Sequence, residues 1–480
     1  MTSTTPRELA VRNPWTGAID FTITAASDRE IADWSARLRR AQPAWGEASI
    51  EHRIAVMQHW ADRLERDKAS LIEADSIDTG YGQISRVAPD MVINAIRRTA
   101  AVAPRIMDQA RRRGSSPALP HIKYDTLFKP YPLAGIIGPW NAPLMLSTLH
   151  VIAPLFAGCA VLVKPSEVAP RFVKPMMETI RAIPELAEVL VYVVGDGLTG
   201  QAIVNNADII NFTGSVANGR KVAETCAKRF IPAILELGGK DPVIITQNAD
   251  LEQAATAVLR GAVTSTGQVC FSIERIYVQR TAHDRFVDLL IAKAAEVRLN
   301  YPDPHAGQLS PFIFERQAQI VDSHIDDALA KGAVLRCGGK SEKLGGGLYM
   351  RPTLLTGVNH DMLIMRDETF GPVMPVMAYD TEEEAIRLAN DSYYGLSAAV
   401  IGGDEAEARR IGVQINAGMI SLQDTFLTFA GSGVADWDSF NYSGLGGRGS
   451  GILTFLRKQA LLTNTAEPAC FIKEGLKAVK

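Results

Sequence analysis

From Leu133 onward the chain repeats one pattern: a short run rich in Ile and Val, closed by Gly, Pro or Asp, then a segment of helix length. The first runs are "LAGIIG", "AVLVKP", "VLVYVVG", "DIINFTG" and "PVIIT", with "APLMLSTLHVIAPLFAG" and "VANGRKVAETCAKRF" among the segments between them. Strands that are apolar on both faces must be covered on both faces. The pattern therefore predicts buried parallel strands in an open α/β sheet with helices on each side. A second series follows: "RIYVQR", "TLLTGV", "VMPVMAYD", "LSAAVIGG" and "AGMISLQ". At 480 residues the chain exceeds one compact domain, and two α/β lobes are expected.

The first hundred residues read mainly as helix. Ser27 is placed to cap "DREIADWSARLRRAQPAW", in which Ile31, Trp34, Leu38 and Ala41 fall at helical spacing. A longer amphipathic stretch runs from His52 to a stop at Gly80. Two further pieces, "PHIKYDTLFKPYPL" and "FLRKQALLTNTAEPACFIK", fit neither lobe and read as strands of a projecting edge sheet or as a simple tail.

A net charge of −3 gives no strong pull toward nucleic acid or an anionic membrane. The N-terminal residues lack a signal-peptide core and no apolar run spans a bilayer, so a cytoplasmic protein is expected. Cys159, Cys226, Cys270, Cys337 and Cys470 are scattered, without the spacing of a metal site or a disulfide framework. No metal is expected. Four of these cysteines read as small buried hydrophobes.

Several loops carry candidate chemistry, since ligands of open α/β sheets bind at the carboxyl ends of strands. In "FTGSVANG" the glycines Gly214 and Gly219 lie between a strand and a helix, offering backbone N–H groups to a pyrophosphate or forming a plain turn. In "VKPSE", Lys164 and Glu167 can bind the hydroxyls of an adenosine ribose, or form a surface ion pair. Glu236, in the apolar run "AILELGGK", is either a general base with a raised pKa or a structural carboxylate held by the glycine turn. Asn141 in "GPWNAP" is an oxyanion donor or a turn residue. Cys270, in "STGQVCFSIER", has no histidine close in sequence to activate it.

Taken together, "GPWNAP", "VKPSE", "FTGS", "LELGGKDP", "GQVC" and "ETFGPV" resemble, in order, the motifs of the NAD(P)-dependent aldehyde dehydrogenases. The likeness runs from "NPWTG" to "SGLGGRGSG". It implies an α/β fold of two Rossmann-like lobes plus a small β element for oligomerisation. The NAD-binding domain would be 1–111 and 131–238, the catalytic domain 239–455, and the oligomerisation element 112–130 and 456–480. It implies Cys270 as nucleophile, Glu236 as general base, and the Asn141 amide with the Cys270 N–H as oxyanion hole. Ile137, Pro139, Trp140, Lys164, Ser166, Glu167, Gly197, Phe212, Gly214, Ser215, Gly238, Glu368 and Phe370 would contact NAD, with Gln317 nearby. Glu167 would disfavour the 2′-phosphate of NADP. A homodimer or homotetramer is implied.

Such a set oxidises an aldehyde to the acid through a cysteine thiohemiacetal and thioester, without a histidine. Phe426, Phe429, Trp437 and Phe440 would line the tunnel mouth, and "GQVCFSIERIYV" resembles the branch acting on carotenoid-derived and other apolar aldehydes. An aromatic or long apolar aldehyde is therefore the expected substrate. The alternatives are a CoA-acylating or semialdehyde dehydrogenase, for which Arg97 and Arg98 are the candidate anchors, and a non-catalytic protein of the same fold.

Overall fold

The computed structural model describes residues 7–431, 435–446 and 451–467. A six-stranded sheet runs in the order Gly444–Leu445, Ala233–Glu236, Ile209–Thr213, Leu133–Ile137, Ala160–Lys164, Leu190–Tyr192. Every residue of Leu133–Ile137, Ala160–Lys164 and Ile209–Thr213 is buried, as two covering helical layers require. The chain builds outward from Leu133–Ile137 in one direction, then returns to build outward in the other. Leu133–Ile137 and Ile209–Thr213 are thus neighbours at a topological switch point, where the carboxyl ends of the strands open a crevice. Along that edge the register sets Lys164 beside Ile137 and Ile137 beside Phe212. Thr213 pairs with Glu236 on the next strand.

The second sheet has seven strands, in the order Val334–Cys337, Thr353–Thr356, Val373–Tyr379, Ile273–Gln279, Asp241–Ile245, Ser397–Ile401, Met419–Leu422. All its pairings are parallel except the edge strand Val334–Cys337. The run "PVIIT", grouped by its texture with the first series, lies well inside this sheet. An apolar strand is buried on both faces in either sheet, so its composition carries no address. The chain passes from one sheet to the other between Glu236 and Asp241, and the segment "LELGGKDP" spans that crossing.

Ser27 caps the helix Asp28–Glu47 in a capping box with Glu30. The amphipathic stretch that follows breaks at Asp67 into Ile50–Arg66 and Lys68–Asp78, and Gly80 takes φ +64° beyond it. Ahead of these helices stands a hairpin, Arg7–Arg12 with Ile19–Ala25, where helix had been expected to dominate. Its turn is "NPWTG": the Asn13 side chain accepts from the N–H groups of Trp15 and Thr16.

The two pieces outside the lobes pair antiparallel over nine residues, from Leu456 opposite Pro130 to Asn464 opposite Ile122. Arg113–Ser115 completes a three-stranded sheet, whose outer strand Leu456–Asn464 is exposed after its first residue. Gly444–Leu445, from within the stretch assigned to the second lobe, pairs with Ala233–Glu236 and so joins the first sheet. Its "SGLGG" wording reads as loop, and only the partner strand makes it extended. Among the described residues no helix is long and apolar enough to cross a membrane.

Candidate active site

The turn bearing Cys270 is held by unusual backbone. Ser265, Thr266 and Gly267 take φ of 52°, 60° and 68°, three left-handed residues in succession. For the two non-glycine residues this costs about 1–2 kcal/mol each. The surroundings compensate. Thr266 Oγ1 donates to Ser310 O at 2.7 Å, and Gln268 Nε2 donates to Ser265 O at 3.2 Å. Gln268 Oε1 accepts from Ile313 N at 3.0 Å. A Cβ on Gly267 would sit 2.3 Å from the Gly371 carbonyl, so only glycine fits there. Cys270 is half-buried just beyond this turn, ahead of the strand Ile273–Gln279.

Asn141 follows the strand Leu133–Ile137 and is buried. Its Nδ2 donates to Gln268 O at 3.0 Å, which places the amide against the loop that carries the thiol. Glu236 ends the strand Ala233–Glu236 and is 1% exposed. Ser439 Oγ donates to its Oε2 at 3.2 Å, and Leu237 N donates to Ser443 O at 2.8 Å. The next two residues bring the segments together. A Cβ on Gly239 would lie 2.5 Å from Cys270 O, and one on Gly238 would lie 2.4 Å from a Glu368 carboxylate oxygen. The glycine pair of "LELGGKDP" is therefore the close-packing point of three segments: the glutamate turn, the thiol turn and "ETFGPV".

Glu368 accepts from Gly239 N at 3.1 Å. Desolvation, reinforced by the like charge of Glu274, pushes its carboxyl up to about 8. Phe370 stands at φ +56°, and its ring meets Trp140 edge-on at 5.4 Å between centroids. Phe314 packs on Trp140 from another side at 5.9 Å. Gln317 Nε2 donates to Thr369 O at 2.7 Å.

Further along the carboxyl edge, Lys164 has a buried stem, and its Nζ donates to Pro165 O at 2.9 Å and to Glu167 Oε2 at 3.1 Å. The Lys164 side chain is 4% exposed and that of Glu167 40%, so the pair reaches solvent at its carboxylate end. Ser166 accepts from Val168 N at 3.2 Å. Pro139, Ile137 and Phe212 are buried behind them. Ser215 caps the helix Val216–Lys228 at the switch point, and Gly214 N is bonded to Glu236 O at 3.0 Å. Gly219 serves packing: a Cβ there would meet Leu237 at 2.5 Å. Gly197 is exposed at the start of a helix capped by Asp196, which also binds Arg7.

Two further expectations concern the substrate. Arg97 and Arg98 are exposed on the outer face of the helix Gln83–Ala110, and Arg97 bonds Asp62 at 3.1 Å, so Arg97 is engaged by a carboxylate of its own protein. Of the four tunnel aromatics, Phe426 and Phe429 pack on Phe271, the residue after Cys270, at 5.5 and 6.2 Å between centroids. Trp437 is buried, and Phe440 lies exposed against Gly395. Burial pushes the other described thiols up: Cys226 to about 11, with Cys159 and Cys337 also raised. Cys470 lies outside the described residues.

Lys240, Glu274, Thr266 and Ser439 did not stand out in the sequence. Lys240 and Glu274 form a buried pair at 2.6 Å, 0% and 4% exposed at the side chain. Lys240 lies within "LELGGKDP", between two strands, and Glu274 follows the thiol turn at the start of a strand, but a charged residue in apolar surroundings signals only that a partner must exist somewhere. The donor set suits a dinucleotide. A capped helix N-terminus faces the switch point, a lysine and a carboxylate stand at the carboxyl edge, and an aromatic pair closes the end nearest the thiol.

The Asn141 amide thus lies against the loop of Cys270, and Gly239, three residues after the buried Glu236, packs on Cys270 O, an arrangement compatible with nucleophilic chemistry at the thiol. The aldehyde dehydrogenase family model matches residues 1–458, and the chain belongs to that family. It is 34% identical over 459 residues to a putative succinate-semialdehyde dehydrogenase (NADP(+)) of Mycolicibacterium smegmatis, covering 95% of this chain and 88% of that one. It is 34% identical over 433 residues to a 4,4'-diapolycopene aldehyde oxidase of Methylomonas sp, covering 89% and 80%. The solved structure of a putative aldehyde dehydrogenase, PutA, from Anabaena variabilis superposes with a TM-score of 0.93 at 47% identity, over 97% of this chain and 99% of that one.

Proposed function

We propose that the protein oxidises an aromatic or long apolar aldehyde to its carboxylic acid, with NAD as cofactor. The observation that carries this reading is the approach of the Asn141 amide, 3.0 Å from Gln268 O, to the loop that bears Cys270. The Cys270 sulfur adds to the carbonyl carbon, and the carbonyl oxygen becomes an alkoxide. The Asn141 amide and the Cys270 N–H stabilise that charge; one such donor is worth about 10²–10³ in rate in comparable sites. NAD, when bound, supplies the hydride acceptor that turns the adduct into a thioester. Glu236 then takes a proton from water, the hydroxide attacks the thioester, and the C–S bond breaks to return the thiolate. Lys164, Ser166, Glu167, Gly197 and Ser215 would hold the adenosine and pyrophosphate portions. Glu368, Phe370 and Trp140 would hold the nicotinamide end.

The cluster of Phe271, the residue after Cys270, with Phe426 and Phe429 supports the apolar substrate. A carboxylate carried into that cluster would lose hydration among the rings, whereas an apolar chain would not. The Methylomonas relative's name points the same way, and the mycobacterial relative's name favours a semialdehyde as the second reading. An aldehyde panel tests it. kcat/KM for aromatic and long aliphatic aldehydes should exceed that for succinate semialdehyde by about tenfold or more. The reverse order would overturn the apolar reading, and acid formation only in the presence of CoA would move the enzyme to the acylating class.

NAD is favoured over NADP on the strength of Glu167. Its carboxylate can accept from both ribose hydroxyls, and it repels a 2′-phosphate. The adjacent Lys164 ammonium, 3.1 Å away, softens that repulsion, so the preference is about 1–3 kcal/mol in kcat/KM rather than exclusion. Glu167→Ser should narrow or reverse the NAD/NADP ratio in steady-state kinetics at saturating aldehyde. An unchanged ratio would return Glu167 to a surface role. The NADP(+) in the mycobacterial relative's name makes this comparison the more informative.

Residues 1–111 and 131–238 form the NAD-binding domain in this reading, 239–455 the catalytic domain, and 112–130 with 456–480 the oligomerisation element. The exposed strand Leu456–Asn464 supports pairing with a second copy in a homodimer or homotetramer. A cytoplasmic location accords with four described cysteines that form no disulfide with one another.

A further inference from the structure

We infer that Glu274, held by Lys240, is the positioning residue that sets the Glu368–Phe370 turn for the cofactor. The inference rests on the reading that Glu368 and Phe370 hold the nicotinamide end. Glu274 Oε2 accepts from Thr369 N at 2.7 Å, and its Oε1 accepts from Phe370 N at 2.7 Å. One carboxylate thus grips two successive backbone amides, the strong charge-assisted arrangement. Lys240 Nζ completes the grip at 2.6 Å to Glu274 Oε2 and 2.9 Å to Thr369 Oγ1. The other atoms of Thr369 are also engaged: its carbonyl by Gln317 at 2.7 Å, and its hydroxyl by His324 Nδ1 at 3.2 Å. Thr369 is pinned at every polar atom, and the residues on either side of it are the two that face the cofactor. Phe370 is left-handed at φ +56°, a conformation that a bulky residue keeps only under such restraint.

The placement explains why a charged pair is buried here at all. For stability alone, an apolar pair of similar volume serves as well or better. Two successive amides at a strained residue, however, are both met by the two oxygens of one carboxylate. Glu274 lies on the strand that begins just after the thiol turn, and Lys240 lies at the crossing just after Glu236. The segments that supply nucleophile and base therefore also hold the cofactor turn, through side chains that touch neither substrate nor cofactor.

Glu274→Gln keeps the shape but offers an amide NH2 to one of the two N–H groups it must accept from. To spare the fold a buried unpaired ammonium, the double variant Lys240→Met/Glu274→Gln is measured beside it. NAD+ and NADH affinities are read by fluorescence titration, and Cys270 accessibility by the rate of iodoacetamide alkylation without cofactor. Both variants are expected to bind NAD+ about tenfold more weakly, the consequence of losing one charge-assisted hydrogen bond. Their alkylation rate should stay within about twofold of wild type, since the thiol turn is held by Thr266, Gln268 and Asn141 instead. Unchanged NAD+ affinity in the double variant, or alkylation falling in step with affinity, would overturn the proposal. Glu368→Gln and Phe370→Ala serve as controls. If these leave NAD+ affinity unchanged, the reading of where the cofactor lies has failed, whatever Glu274 does.

Discussion

Exchange of Cys270 for alanine is expected to abolish aldehyde oxidation while NAD+ binding survives. The loss should reach about 10⁴–10⁶ in kcat, the scale seen when a covalent nucleophile is removed and only binding and oxyanion stabilisation remain. No other described thiol can substitute. Cys159 and Cys226 are buried with their pKa values pushed up, and Cys337 is raised by the same cause, so none offers appreciable thiolate near neutrality. NAD+ titration of the variant checks the second half, because the residues assigned to the cofactor lie on other loops. Turnover at the wild-type rate would refute the covalent mechanism, and loss of NAD+ binding together with activity would show that the substitution had damaged more than the nucleophile.

Glu236→Gln should separate the two halves of the reaction. Glutamine keeps the volume and can still accept from Ser439, so the local fold is retained. It cannot take a proton from water. Rapid mixing should show a burst of NADH approaching one per active site, followed by a steady state slower by about 10²–10⁴, the usual contribution of a general base. A thioester trapped on Cys270 would be visible by intact-protein mass spectrometry. If the burst vanishes along with the steady state, Glu236 acts in activating the thiol rather than in deacylation.

The sheets were legible because burial on both faces leaves a recognisable composition: Leu133–Ile137 is apolar throughout, and Ala160–Lys164 and Ile209–Thr213 are buried throughout and mostly apolar. What such runs lack is an address, and "PVIIT" joins the sheet that its neighbours in sequence do not. The hairpin Arg7–Ala25 was obscured because its turn depends on side-chain bonds from Asn13 rather than on a glycine pair. At the site, Cys270, Glu236 and Asn141 were visible as polar residues that needed a reason to be there. Ser439 and Glu274 were not. Each matters through a partner far away in sequence, Glu236 in one case and the backbone of Thr369 and Phe370 in the other. A single sequence shows demand for a partner and does not say which residue meets it. The αL path through Thr266 left no local mark, because threonine has no preference for it and tertiary bonds impose it.

The short strand Gly444–Leu445, laid against Ala233–Glu236, has a consequence for how the molecule is made. A ribosome delivers the chain from its N-terminus, and domains tend to fold in the order they emerge. The first sheet can form most of its strands early, yet the strand ending in Glu236 remains a bare edge until some two hundred further residues have been synthesised. Only then do Ser439 and Gly444 arrive to cover it. Cys270 and Glu236 are thus both translated well before Ser439 and Gly444 reach the strand that ends in Glu236.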